Sequence, residues 1–169
     1  INHNIGWNGM TYLEHCRYRN VDGVVVVCAN FYAPEVIELV NSNIPVVTID
    51  HTLANRSCVL SENVEGMKAL VEHAASLGHT RIAYVHGEKA SVTENRITGY
   101  YRGLAAHNIP ANPEYLVESV YDSPEAGAEA VKKLMALSLP PTCILMQDDH
   151  AALGALDAAA ELGLRVPED

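Results

Sequence analysis

Polar and aromatic residues gather at the ends of the apolar segments of this chain. Five such segments are each followed by groups that can hydrogen-bond or stack on a ring: Asn30-Phe31-Tyr32, Asp50-His51, His86-Gly87, Tyr121-Asp122 and Gln147-Asp148-Asp149-His150. Because carboxylates and amides bind hydroxyl groups and aromatic faces stack on rings, the set suits a sugar or another small polar ligand. The alternative for any single member is that loop ends are polar simply because they face water.

Arg96 is a further candidate for ligand binding. It lies early in a predicted helix, close to the end of a predicted strand, where its guanidinium could fork across two ligand oxygens. An arginine near a helix N-terminus is electrostatically unfavourable, which indicates a use beyond helix stability. The alternative is an ordinary surface arginine. In the last helix we expect Asp149 to be the N-cap, which leaves Asp148 free to face a ligand.

Catalytic and metal chemistry find little support in the sequence. It contains no GxSxG, HExxH, CxxC, GxGxxG or GxxxxGK[ST] motif, and its eight histidines are scattered. We therefore expect no enzyme activity, no cofactor and no metal site, although an enzyme using Asp148 or Asp149 with a histidine stays open. The four cysteines suggest no disulfide framework, which favours the reducing cytoplasm.

The alternation of segments predicts an α/β fold. Strand-like segments fall at 21–29, 45–49, 81–86, 115–120 and 142–146, and helical patterns at 8–19, 34–42, 63–77, 93–107, 124–137 and 149–162. Such an alternation is typical of doubly wound parallel sheets with helices on both faces. Ile1 could be the tail of a further strand, and both ends of the chain suggest a piece of a longer protein.

Residues 50–60 interrupt the alternation. Two strand-like pieces, ending at Ile49 and near Leu60, have no helix between them, and a parallel crossover within one sheet needs about a dozen residues or more. We therefore expect the chain to leave one sheet here and enter a second. This predicts two lobes, residues 1–60 and 61–169, with a cleft between them.

Composition excludes two classes of partner. The 169 residues carry 11 Lys and Arg against 21 Asp and Glu, a formal net charge of −10. So acidic a chain repels phosphate, and we do not expect these residues to bind nucleic acid. No apolar run approaches the roughly 18 residues of a membrane span.

Six segments in series resemble one known family. VDGVVVV (21–27), IPVVTID (44–50), LGHTRIAYVHG (77–87), NRITGYYRGL (95–104), PTCILMQDDHAALGAL (141–156) and ELGLRVPED (161–169) occur in the order typical of the lactose-repressor (LacI/GalR) family of transcriptional regulators. The resemblance covers nearly the whole chain. It implies the α/β periplasmic-binding-protein-like type I fold, with two doubly wound parallel-sheet lobes of which the first is incomplete.

The resemblance also implies a function and partners. Family members bind a small effector, often a sugar, between the lobes, and are usually cytoplasmic homodimers that contact operator DNA through an N-terminal helix-turn-helix absent from this chain. The transport-associated periplasmic sugar-binding proteins share the fold and are the alternative. Carried over by motif, the expected effector contacts are Arg96, Asp50, Asp148 and Tyr121, then Ser91, Thr93 and His150; the strand ends add His51, Phe31 and Tyr32. Where the family most often has Asn-Asp, this chain has Asp148-Asp149, which favours a ligand rich in hydrogen-bond donors.

Overall fold

The structure is a computed structural model that describes residues 9–169. The predicted strand tail at Ile1 and the predicted helix start at Asn8 lie outside the described residues. The chain divides into two compact units, the first ending at Ser61 and the second running from Glu62 to Asp169. Each unit has its own sheet and its own core.

The first unit is a small parallel sheet with helices. Its elements are α1 (Tyr12–Tyr18), β1 (Val24–Val26), α2 (Pro34–Val40), β2 (Val46–Ile49) and β3 (Ser57–Val59), and the strand order is β1-β2-β3. Helix α1 begins with a capping box, in which the Thr11 hydroxyl accepts from the Glu14 amide while the Glu14 carboxylate accepts from the Thr11 amide. Both bonds satisfy amides that a helix start otherwise leaves unpaired.

Strand β3 corrects the predicted exit from the first sheet. It pairs in parallel with β2, with Ile49 opposite Val59, so the expectation that the chain leaves this sheet after Ile49 is wrong. The connection is tighter than a usual crossover because Asp50 and Asn55 adopt left-handed backbone conformations, with φ of 60° and 59°. Asp and Asn tolerate this region better than other side chains with a Cβ. The Asp50 amide donates to the Val59 carbonyl at 2.8 Å and closes the turn.

The core of the first unit lies where helices α1 and α2 pack on the sheet. It joins Leu13 and Cys16 of α1 with Val36 and Leu39 of α2 and with strand residues such as Val46. Side chains of alternate strand residues remain outside this core: Val25 is 60% exposed and Val59 is 59% exposed.

The second unit is larger and its sheet has a core on each face. Its elements are α3 (Asn63–Ser76), β4 (Ile82–His86), α4 (Ser91–Ala106), a 3-10 turn (Pro113–Tyr115), β5 (Leu116–Glu118), α5 (Pro124–Met135), β6 (Cys143–Leu145) and α6 (Asp149–Glu161). The strands are parallel in the order β5-β4-β6. Ile82 and Tyr84 face the core of α3 and α4, whereas Ala83 and Val85 face a second cluster with residues of α5. The predicted α/β architecture of parallel sheets and helices is confirmed.

Glycines bring the helices of the second unit into backbone contact. A Cβ on Gly99 of α4 would lie 2.2 Å from the Val64 carbonyl oxygen of α3. A Cβ on Gly154 of α6 would lie 1.8 Å from the Pro124 carbonyl oxygen of α5, and one on Gly127 of α5 would lie 2.2 Å from the Ala151 carbonyl oxygen of α6. At these contacts only glycine fits, so the helix axes approach more closely than larger side chains allow.

None of the helices within residues 9–169 is both long enough and apolar enough to cross a membrane.

Candidate functional site

The carboxyl ends of the second sheet carry a connected group of polar side chains, and Arg96 is at its centre. Arg96 lies in the second turn of α4 and is half buried. Its Nε donates to Asn63 Oδ1 at 2.9 Å, and its Nη1 donates to the Gln147 carbonyl at 3.1 Å. One side chain thus ties α4 to the first residue of α3 and to the segment after β6. Two of its five N–H donors make these bonds.

Buried polar atoms lie beside this arginine. Gln147 is 4% exposed, and its Nε2 donates to the Val120 carbonyl at 3.0 Å, which fixes the orientation of the amide. Within the part of the chain that the structure describes, Gln147 Oε1 and the Tyr84 and Ser119 hydroxyls accept or donate no hydrogen bond of ordinary geometry. Burial raises the pKa of Tyr84 to about 12, with a further increase from Tyr121, while the charge of Arg96 and the polar contact of its guanidinium with the phenol act to lower it. The Tyr84 phenol is therefore neutral.

Tyr121 is held at several points of the same region. Its hydroxyl lies 3.0 Å from the hydroxyl of Thr93, and its backbone amide donates to Glu88 Oε2 at 3.2 Å. Thr93, 2% exposed, donates in turn to the Glu88 carbonyl at 2.8 Å. Thr93, expected as a ligand contact, is thus a buried residue that binds Tyr121.

The acidic pair after β6 differs from the prediction. Asp148, not Asp149, is the N-cap of α6: its Oδ1 accepts from the Ala151 amide at 2.8 Å. Its Oδ2 accepts from the Asp122 amide at 3.0 Å. The expectation that Asp149 caps the helix and leaves Asp148 free is wrong, because the helix begins at Asp149 and places the capping position one residue earlier.

A charged contact of His150 makes a second link between the segment after β6 and the segment after β5. Its Nδ1 contacts Asp122 Oδ1, and Asp122 adopts a left-handed φ of 60°. The hydrogen bond and charge of Asp122 raise the pKa of His150, and the charges of Asp148 and Asp149 add to this effect. Both partners are largely exposed, so solvent weakens the pair.

The first unit carries the other predicted contacts at the carboxyl ends of its own strands. The rings of Phe31 and His51 are stacked, with centroids 4.5 Å apart, and Tyr32 meets His51 edge-on at 5.4 Å. Asp50 Oδ1 accepts from both the amide and the hydroxyl of Ser61, at 3.1 and 2.9 Å. This cluster therefore combines aromatic surface with one carboxylate.

The predicted residues thus fall into two groups, one in each unit. The first unit brings together Phe31, Tyr32, Asp50 and His51, and the second brings together Thr93, Arg96, Tyr121, Asp148 and His150. Ser91 opens α4 and is exposed. Across residues 9–169, no three His, Cys, Asp or Glu side chains are arranged to hold a metal ion.

Sequence reasoning missed several residues of the second group. Tyr84 lies inside a buried strand and Asn63 begins a distant helix, so neither follows the strand-end pattern. Gln147 belonged to the strand-end set without a role. The signal that could have found them is a polar residue in or beside an apolar strand, because a polar group in a folded core needs a hydrogen-bond partner.

Comparisons with known proteins agree with the fold. Residues 71–169 match the periplasmic binding protein-like domain. The probable HTH-type transcriptional repressor ExuR of Bacillus subtilis is 38% identical over 130 residues, which cover 75% of this chain and 39% of that protein. The ribose operon repressor of Haemophilus influenzae is 32% identical over 160 residues, covering 93% of this chain and 48% of that protein.

A solved structure gives the same result in three dimensions. The putative transcriptional regulator LacI of Bacillus cereus subsp. cytotoxis superposes with a TM-score of 0.80 at 30% identity, over 92% of this chain and 56% of that one. The chain spans about half the length, or less, of the curated relatives it matches. It belongs to the periplasmic binding protein-like family and is a ligand-binding core of the LacI/GalR type.

Proposed function

We propose that this chain is the effector-binding core of a transcriptional regulator and that its effector is a carbohydrate or a similar small polar molecule. The observation that carries the proposal is the fixed group of Arg96, Tyr121 and Asp148 at the carboxyl ends of adjacent parallel strands. In open α/β sheets, ligands bind outside these ends. The relatives reported above are named as repressors, which favours a regulator over a transport-associated sugar-binding protein or an enzyme.

The proposed ligand chemistry follows from the groups present. A guanidinium with unused N–H donors binds ligand oxygens, and carboxylates accept from ligand hydroxyls. An aromatic face such as that of Tyr121 covers the apolar side of a sugar ring. These three kinds of group together suit a molecule that has a ring and several hydroxyls.

We assign the two units of the structure to the two lobes of this core, for which the sequence predicted the bounds 1–60 and 61–169. Asp50, His51, Phe31 and Tyr32 would contact the effector from the first lobe, and Arg96, Tyr121, Asp148, Ser91 and His150 from the second. The support is that both groups lie at carboxyl ends of parallel strands, which is where this architecture binds ligands.

The proposal extends to the regulator as a whole. Operator DNA would be bound by a part of the protein other than these acidic residues, in the cytoplasm, and effector binding would change DNA affinity through the lobes. We further propose a homodimer. On α6, Leu153 and Leu156 are 58% and 50% exposed, and such outward leucines support a surface for self-association.

Calorimetry with the purified chain tests the proposal. We expect one or more compounds in a panel of D-ribose, other monosaccharides, disaccharides and nucleobases to bind, and Arg96→Ala to abolish that binding. Arg96→Ala also removes the bonds to Asn63 and Gln147, so we expect a modest loss of stability with the fold retained.

Arg102→Ala is the matched control. This arginine lies on the same helix but is exposed and 4.0 Å from Glu65, so its loss should leave affinity unchanged. Equal affinity of the Arg96→Ala and wild-type proteins would remove Arg96 from the site. Failure of the whole panel to bind would contradict the proposed ligand class.

A further inference from the structure

The ring of Tyr121 lies against a residue that has no side chain. Gly87 directly follows β4 and is buried. A Cβ at this position would lie 1.9 Å from Tyr121 Cε2, 2.2 Å from Cζ and 2.5 Å from Cδ2. These three ring atoms are the nearest neighbours of such a Cβ. The tyrosine ring therefore occupies the space that any other residue at position 87 would need.

The hydroxyl end of the same ring is fixed by a second residue. Thr93 has one hydroxyl hydrogen, which it donates to the Glu88 carbonyl at 2.8 Å. At the 3.0 Å contact between the two hydroxyls, Tyr121 is therefore the donor and Thr93 the acceptor. Since Thr93 is 2% exposed, this acceptor is not in contact with solvent.

The backbone of Tyr121 is fixed by a third contact. Its amide donates to Glu88 Oε2, and Glu88 lies between Gly87 and Thr93 in the chain. The short segment after β4 thus holds the backbone, the ring face and the hydroxyl of a residue that follows β5. A side chain held in this way keeps one rotamer, which lowers the entropy lost when a ligand stacks on it.

We propose that Gly87 and Thr93 are positioning residues, which fix the Tyr121 ring as a flat surface for a ring-bearing ligand. The inference rests on the proposed function for the role of Tyr121, and it goes further in assigning the tyrosine's orientation to these two residues. Neither residue needs to touch the ligand: Gly87 acts by leaving space, and Thr93 acts by accepting the tyrosine hydrogen bond.

A double-mutant cycle on the whole chain tests the role of Gly87 without any ligand. Gly87→Ala should lower the Tm by at least about 2–4 °C, because the new methyl group displaces the ring. In a Tyr121→Ala background the same substitution should have almost no effect on the Tm, since the obstructing ring is gone. Gly66→Ala is the control and should not lower the Tm, because a Cβ at exposed Gly66 meets nothing within 4 Å.

Nuclear magnetic resonance of the ¹³C-labelled tyrosine rings reports the ring position itself. Tyr121→Phe assigns the Tyr121 signals by their disappearance. Gly87→Ala and Thr93→Val should both shift those signals, whereas Thr93→Ser, which keeps the hydroxyl, and Thr98→Val, on the exposed side of α4, should not.

Two results would overturn the proposal: a Tm loss from Gly87→Ala that persists undiminished without the Tyr121 ring, or Tyr121 signals that stay unchanged in Thr93→Val. If Gly87→Ala does not fold, the comparison of Thr93→Val with Thr93→Ser decides the outcome alone. None of these measurements needs an effector, so a panel without any binding compound would contradict the proposed function and leave this result standing.

Discussion

The two sheets of this chain share a parallel topology but differ in how their faces are covered. In the second unit, Val85 is 0% exposed and alternate residues of β4 enter cores on opposite faces. In the first unit, Val26 is buried whereas its neighbour Val25 is 60% exposed, within the residues described. A parallel sheet is most stable when helices cover both of its faces. We therefore expect the sheet of the second unit to be the more stable of the two.

The side chains at the carboxyl ends of the strands are also held more firmly in the second unit than in the first. Hydrogen bonds fix Arg96, Tyr121 and Asp148 in the second unit. In the first unit, Ser61 holds Asp50 through two hydrogen bonds, whereas the rings of Phe31 and His51 meet by stacking, which restricts position less than directed bonds do. The second unit therefore presents a preorganised part of the candidate site, on which ligand binding needs little further ordering.

A pair of valine substitutions should give the largest contrast between the sheets. We expect Val85→Thr to lower the free energy of unfolding by about 1–3 kcal/mol, because it buries a hydroxyl among apolar side chains. Val25→Thr should change it by less than about 0.5 kcal/mol, since the side chain already meets solvent. Urea unfolding measures both. Equal losses at the two positions would mean that the outer face of the first sheet is covered after all.

Substitution of the N-cap of α6 should have a smaller effect on stability, and the adjacent aspartate provides the control. Asp148→Ala should cost about 0.5–2 kcal/mol of stability, because the Ala151 amide loses its acceptor and the Asp122 amide loses another. Asp149→Ala, one residue later and exposed, should cost clearly less. A larger loss of stability from Asp149→Ala would mean that Asp149 is the N-cap, as the sequence alone suggested. It would also contradict the hydrogen bonds that hold Asp148 in the second unit.

The smallest expected effect concerns pH. Asp122 raises the pKa of His150, so the pair stabilises the folded state fully below the ordinary histidine pKa of 6.5 and less as pH rises through the raised value. Asp122→Asn should lower the His150 pKa in a proton NMR titration, and its stability difference from wild type should shrink toward alkaline pH. Asp157→Asn, on the exposed side of the same helix, is the control. An unchanged His150 titration in Asp122→Asn would show that the contact does not persist in solution.

Sequence pattern predicted most of the fold because the apolar periodicity of each element is local. The predicted strand at 81–86 matches β4 (Ile82–His86), and the predicted helix at 124–137 contains α5 (Pro124–Met135). The strand at 21–29 shortens to β1 (Val24–Val26), since an apolar run does not show where pairing with a neighbour stops. The prediction that the chain leaves the first sheet after Ile49 was wrong for a related reason. Which strands pair depends on contacts that no local sequence pattern records.

The candidate site was predictable at its strand ends and not in its interior. The polar residues at the ends of apolar segments indicated Tyr121 and Asp148, and the position of Arg96 close to a predicted strand end indicated that arginine. Neither pattern could find the role of Gly87, which depends on a ring that lies 34 positions away in the chain. The N-cap was misplaced because a shift of one residue at a helix start exchanges the roles of two adjacent aspartates.

The glycine contacts between α5 and α6 have a consequence for motion. Gly127 and Gly154 let each helix backbone rest directly on the other, near the start of α6, where Asp148 is the N-cap and His150 lies in the first turn. Sliding of packed helices relies on side chains that can change rotamer at the interface, and at these two glycine contacts no side chain stands between the two backbones. We therefore expect α5 and α6 to travel as one rigid block when the protein changes conformation, so that any rearrangement is taken up in loops outside this helix pair.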